Sequence, residues 1–133
     1  MPLDETVENE LTRRASKEIN AHRKIYAKTD ALAVLHGHSR YAVIQSLIHK
    51  DKEVLLPTDL ESLHFMKEIP MVAGDFGSSE LAENVSNALV KNVGVVVRGH
   101  GSFAKGKTPM EALTILHVIE NSSFINYMIE SRT

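Results

Sequence analysis

An α/β layered domain is the fold class that this sequence predicts, and three observations predict it. Short apolar runs rich in β-branched residues alternate with stretches of helical periodicity. The last of those stretches opens with a complete helix-start signature. Histidines stand just beyond two of the apolar runs, at strand ends, where layered folds of this kind carry their functional side chains.

From about residue 5 to residue 28 the pattern is that of one amphipathic helix. Val7, Leu11, Ala15, Ile19 and Tyr26 share a side, with Arg13, Lys17, Asn20 and Lys24 opposite. Ala31-Leu32-Ala33-Val34-Leu35 reads as a buried strand that stops at His36. Ser39 is a candidate N-cap for a helix over Tyr41 to His49. Val54-Leu55-Leu56 reads as a second strand ended by Pro57, and residues 58 to 68 favour neither state. Ile69 to Ala73 forms a third strand, followed by the turn Gly74-Asp75-Phe76-Gly77. Ser78 or Ser79 caps a helix over Glu80 to Val90, whose stripe is Leu81, Ala82, Val85, Ala88 and Leu89. Val93-Gly94-Val95-Val96-Val97 is the clearest strand, and it runs into a turn over Arg98 to Ser102 before Phe103-Ala104 resumes extended structure. Thr108 as N-cap, Pro109 at the first helical position and Glu111 three residues after the cap open the final helix. It continues through Ile115, Leu116, Ile119, Phe124 and Met128.

At 133 residues the chain is expected to form a single domain over 1–133, large enough for one core and too small for two. A hydrophobic content of 43% with 24% charged residues is that of an ordinary soluble globular protein. The net charge of -2, with cations scattered among anions, argues against a nucleic-acid surface. Cysteine is absent, which removes disulfides and thiolate metal sites, so a metal here must take imidazole and carboxylate ligands. The acidic N-terminus lacks an apolar signal core and no run approaches membrane-spanning length, so a cytoplasmic protein is expected.

His36 and His38 form an H-x-H pair at the end of a buried strand. Residues two apart in extended backbone project from the same face, so both rings can address one ion. An isolated pair is a weak signal, because a buried histidine is more often a hydrogen-bonded core residue. His100 strengthens it. That residue also follows an apolar strand, and Gly99 and Gly101 flank it so that the backbone can turn tightly. Three histidines at two strand ends make a site with a coordination position left for substrate or water, a pattern that favours a catalytic over a structural metal. Glu18 is the second unusual residue. Between Leu11 and Ile25 on the helical wheel, it lies within the apolar face with His22 one turn on. A desolvated carboxylate must be neutral, paired or metal-bound. The inert reading is a Glu18–His22 contact; the functional one sets Glu18 at the metal site as a base or fourth ligand, oriented by His22.

The other histidines carry less. His49 sits near a helix C-terminus, where a cation is favoured; His64 is expected at the surface and His117 partly buried. Gly99-His100-Gly101 lacks the spacing and lysine of a phosphate loop. Other H-x-H architectures fit poorly: amidohydrolase barrels need about 250 residues, metallo-β-lactamase-like sites need a further Asp-His directly downstream, and cupins are all-β.

The order Ser16-Lys17-Glu18, Val34-Leu35-His36-Gly37-His38-Ser39, Gly77-Ser78-Ser79-Glu80-Leu81 and Val97-Arg98-Gly99-His100-Gly101-Ser102-Phe103-Ala104 resembles the class II aldolase/adducin family, especially its archaeal-type fuculose-phosphate aldolase branch. The resemblance is collinear from about residue 10 to the C-terminus. It implies a three-layer α/β/α sandwich on a largely antiparallel sheet, and a homo-oligomer, usually a tetramer, with sites between subunits. It also implies one divalent ion per subunit held by His36, His38 and His100, with zinc expected and manganese, iron or cobalt as the other ions such a site takes. Glu18 falls on the family's acid/base glutamate. The implied reaction is cleavage of a ketose phosphate to dihydroxyacetone phosphate and an aldehyde, the ion acting as Lewis acid toward the enediolate. The family's phosphate cradle comes largely from a longer segment before the glutamate helix. This chain begins just upstream of Glu18, so Ser16 is the phosphate contact it carries, and Lys17 stands where a second serine often does. Two alternatives stay open: dehydration or epimerisation of a related sugar phosphate on the same metal site, and a non-catalytic adducin-like interaction module.

Overall fold

The computed structural model describes residues 10–132. Its elements follow in the order α1 (Glu10–Arg14), α2 (Ile19–Lys28), β1 (Ala33–Gly37), α3 (Arg40–Ile48), β2 (Val54–Leu55), α4 (Leu60–Phe65), β3 (Ile69–Val72), α5 (Ser79–Lys91), β4 (Gly94–Val97), β5 (Gly101–Gly106) and α6 (Pro109–Glu130). The strands form one five-stranded sheet of order β1-β5-β4-β3-β2. Every pairing is antiparallel except β3 with β4.

Strand β4 shows why the sheet needs a helical layer on each side. All four of its residues are buried, and side chains alternate faces along a strand. Val95 and Val97 enter the core with Val34, Phe103, Ile25, Leu81, Val85 and Leu89, beneath α2 and α5. Val96 enters the opposite core with Met71, Ala104, Ala42, Ala112, Ile115 and Ile119, beneath α3 and α6. The result is the expected three-layer α/β/α sandwich on a mixed, mostly antiparallel sheet.

Several elements differ from the periodicity. The helix expected over residues 5–28 is two: α1 ends at Arg14 and α2 begins at Ile19, while residues 5–9 lie outside the described part. The Ser16 hydroxyl accepts the Glu18 N–H at 3.2 Å and the Ser16 carbonyl accepts the Ile19 N–H at 3.1 Å. Serine competes with helical bonding in this way, and the chain turns. Glu18 is therefore the N-cap position of α2 rather than a mid-helix residue, and Leu11 is exposed instead of sharing its face. Strand β1 runs through His36 to Gly37. The undecided stretch 58–68 holds α4, started by Asp59, whose carboxylate accepts the Ser62 N–H at 3.0 Å. Ser78 is the cap of α5, accepting the Leu81 N–H. Thr108 caps α6 as expected, accepting the Glu111 N–H at 3.1 Å. His64 is exposed, and so is His117, which was expected partly buried; α6 turns that position outward while its neighbours Val118 and Ile119 fill the core.

Candidate metal centre

The antiparallel register of β1 against β5 brings the two histidine segments together. His36 lies opposite Phe103 and Gly37 opposite Ser102, so the end of β1 sits beside the loop that has just passed His100. Gly101 makes that approach possible, because a Cβ there would overlap the Gly37 carbonyl oxygen. Gly101→Ala is therefore expected to cost about 1–3 kcal/mol through overpacking and forced backbone shift. Urea unfolding measures it, and wild-type stability in this variant would mean the two segments are not held so closely.

The three imidazoles converge: each of His36, His38 and His100 offers a ring nitrogen within 4.8 Å of the others. His36 Nδ1 lies 2.9 Å from the Ser102 backbone carbonyl. A carbonyl only accepts, so Nδ1 carries the proton and the Nε2 lone pair faces His38 Nε2, 3.1 Å away. His36 also stacks on Phe103, with centroids 4.0 Å apart and planes 19° from parallel. His38 is exposed, and His100 is buried with 8% of its surface accessible.

Glu18, 7% exposed, stands at the head of α2 beside this cluster. Its Oε1 accepts the Gly77 N–H at 3.3 Å and lies 3.8 Å from His100 Nε2. Gly77 holds that N–H in place at φ +65, and a side chain there would press on the Lys17 backbone. His22, expected to orient Glu18, touches it through the backbone: its N–H donates to the Glu18 carbonyl, while its ring meets Phe103 edge-on.

Whether a divalent cation suits these residues is decided by their unsatisfied atoms. Both ring nitrogens of His100 and Oε2 of Glu18 are buried without a hydrogen-bond partner, an arrangement that costs about 1–3 kcal/mol per group. Nε2 of His36 and Nε2 of His38 lie 3.1 Å apart, and the three histidines offer ring nitrogens all within 4.8 Å of one another, imidazole donors of the kind that hold a divalent cation such as zinc. His36 presents its Nε2 lone pair toward His38. The set fits an ion.

Burial is the first cause that pushes His36, His100 and His22 below the ordinary imidazole range, with neighbouring imidazoles adding to it. The folded protein thus keeps these rings neutral where the unfolded chain, at about 6.5, begins to take up protons. The resulting stability is fully present above pH 6.5 and lost as pH falls below it, toward the depressed folded values. Thermal melts of metal-free protein at pH 7.5 and 5.5 are expected to show the lower transition in acid. Equal transitions would mean that the rings are not held neutral.

Ser16, read from the resemblance as a phosphate contact, lies in the turn before Glu18 with its oxygen engaged by the Glu18 N–H. Two residues belong to the site without having been singled out. Phe76, 65% exposed, sets its ring 4.1 Å from that of His100, and Phe103 forms the floor under His36. A large apolar residue inside a Gly-Asp-Phe-Gly turn was the available signal for the first; none existed for the second. A cavity of about 580 Å³ between Asp30, Lys105 and Ile115 opens at the other end of β5, away from every residue of this cluster.

A class II aldolase fold is what this architecture defines. The solved structure of L-fuculose-1-phosphate aldolase from Thermus thermophilus matches it with a TM-score of 0.85 and 32% identity, over 98% of this chain and 67% of that one. Residues 1–127 match the family described as Class II Aldolase and Adducin N-terminal domain, and the chain belongs to that family. An L-fuculose phosphate aldolase of Methanococcus maripaludis (strain C5) is 35% identical over 92% of this chain and 66% of its own length. A methylthioribulose-1-phosphate dehydratase of Gluconobacter oxydans is 34% identical over 80% of this chain and 56% of its own. The chain therefore spans less than two thirds of the length of these two relatives.

Proposed function

We propose that the chain carries the metal-binding and acid/base residues of a class II lyase that cleaves a ketose phosphate, fuculose 1-phosphate or a close analogue, to dihydroxyacetone phosphate and an aldehyde. The observation that carries this reading is the buried, partly unsatisfied Glu18 carboxylate beside three converging imidazoles. His36, His38 and His100 would hold the ion. When bound, a divalent cation there supplies Lewis-acid polarisation of substrate oxygens. Glu18 is the proton carrier: Oε1 is anchored by the Gly77 N–H, leaving Oε2 as the oxygen that takes a proton from substrate and returns it. The Ser102 carbonyl holds His36 in the tautomer that keeps its Nε2 free for the ion. Phe76 covers one side of His100 and limits water there. Ser16, two residues from Glu18, is the phosphate contact in this reading. A homo-oligomer, usually tetrameric, and a cytoplasmic setting belong to the same reading; no helix of the described residues is long and apolar enough to cross a membrane.

The relative named as a dehydratase supports a second reading, loss of water from a ketose phosphate on the same residues. One experiment separates them: zinc-reconstituted protein is given fuculose 1-phosphate and methylthioribulose 1-phosphate, with dihydroxyacetone phosphate and dehydrated ketone assayed separately. Dihydroxyacetone phosphate from the first establishes the aldolase, and dehydration of the second alone transfers the assignment. Stoichiometric metal with neither product would leave an interaction module, and the enzymatic proposal would fall.

A further inference from the structure

Helix α3 touches both segments that carry the histidines: Glu120 of α6 holds its first turn, and its own Ser46 holds the loop before His100. His38 and Ser39 lie between the end of β1 at Gly37 and the start of α3 at Arg40, so no regular element holds them. Ser39 occupies the N-cap position but makes no side-chain bond to the first turn. The Glu120 carboxylate, reaching across from α6, takes that role. One oxygen accepts the Tyr41 N–H at 3.2 Å and the other accepts the Ala42 N–H at 2.9 Å. Two of the open N–H groups of the helix are thereby satisfied, and the negative charge sits at the positive end of the helix dipole. Further along α3, the fully buried Ser46 hydroxyl donates to the Val43 carbonyl at 2.7 Å and accepts the Gly99 N–H at 3.0 Å. Gly99 directly precedes His100. One short helix is thus bonded beside His38 at its start and beside His100 through its middle.

We propose that Glu120 and Ser46 are positioning residues that set the separation of His38 from His100, and through it the affinity and geometry of the divalent-cation site. The inference rests on the reading of His36, His38 and His100 as metal ligands. Neither residue belongs to the cluster: Glu120 acts through the first turn of α3, and Ser46 through the Gly99 peptide. Without the carboxylate the first turn of α3 is free to fray and His38 loses its fixed origin. Without the Ser46 oxygen, the Gly99 N–H loses that partner and the loop can relax.

The test titrates cobalt(II) into wild type, Glu120→Gln, Glu120→Asp and Ser46→Ala, reading affinity by chelator competition and coordination by the visible absorption bands, with thermal melts alongside. Glu120→Gln keeps one acceptor but turns an amide NH2 toward the other backbone N–H. It and Ser46→Ala are each expected to weaken cobalt binding about tenfold to a hundredfold and to alter the visible bands. Glu120→Asp, which keeps both acceptors on a shorter arm, is expected to recover part of the loss. Ser46→Ala keeps the test decisive should the Glu120 variants fold poorly. Variants that melt earlier yet bind cobalt with wild-type affinity and spectrum would overturn the proposal, reducing both residues to stabilisers of α3. Wild-type protein that takes up no cobalt would instead remove the metal reading, and this inference with it.

Discussion

His100→Ala is expected to abolish stoichiometric metal binding while leaving the fold largely intact. The ring is 8% exposed and both of its nitrogens lack partners, so little of its cohesion within the metal-free chain comes from hydrogen bonding. Its removal takes away packing against Phe76 and His36, and a stability loss of about 1 kcal/mol is expected, near the centre of the range for point substitutions. The ion loses one of three ligands. Loss of an outer partner alone weakens metal sites by about 10- to 100-fold, and loss of a ligand exceeds that. Elemental analysis after zinc reconstitution and desalting measures the outcome: one ion per wild-type chain against none in the variant. Unchanged metal content in the variant would show that the three-histidine site is misassigned.

Glu18→Gln is expected to give the opposite pattern, with metal kept and turnover lost. Glutamine is nearly isosteric, and its amide oxygen still accepts the Gly77 N–H that anchors Oε1. It has no proton to take up or release at the second position. General acid/base groups contribute about 10²- to 10⁴-fold to rate, so kcat should fall by that order while zinc affinity stays within a few-fold. Full activity in this variant would remove the acid/base role. A large loss of zinc affinity would make Glu18 a ligand, the other role its burial permits. Together the two variants separate the part that holds the ion from the part that moves the proton.

Much of the site can be read along the chain because its chemistry is local in composition. The H-x-H pair and the Gly-His-Gly turn stand at the ends of apolar runs whose strand character follows from alternation and β-branching. The helix caps at Ser78 and Thr108 are likewise short-range: hydroxyls three residues from the N–H groups they accept. The environment of Glu18 is a different matter. Helical periodicity over residues 5–28 places it on an apolar face, and it is buried, but by another route. The Ser16 turn breaks the helix, and burial comes from packing at the head of α2 against the Gly77 turn and His100. Periodicity finds faces of continuous elements, and a break made by one serine hydroxyl leaves it unchanged.

Composition and local pattern were enough to establish a layered α/β domain without cysteine and to mark three histidines and one carboxylate as candidates for a metal site. Tertiary structure decided that these residues meet. Strand β1 pairs with β5 rather than with its neighbours in the chain, and that antiparallel register sets His36 beside Phe103 and within reach of His100. It also decided that Glu120, 79 positions beyond Tyr41, caps α3 and that Ser46 holds Gly99. The physical reason is the range of the interactions. Propensity and capping act over a few residues and are written in neighbouring letters, whereas strand partners and cross-chain hydrogen bonds follow from how both faces of the sheet bury their apolar side chains at once.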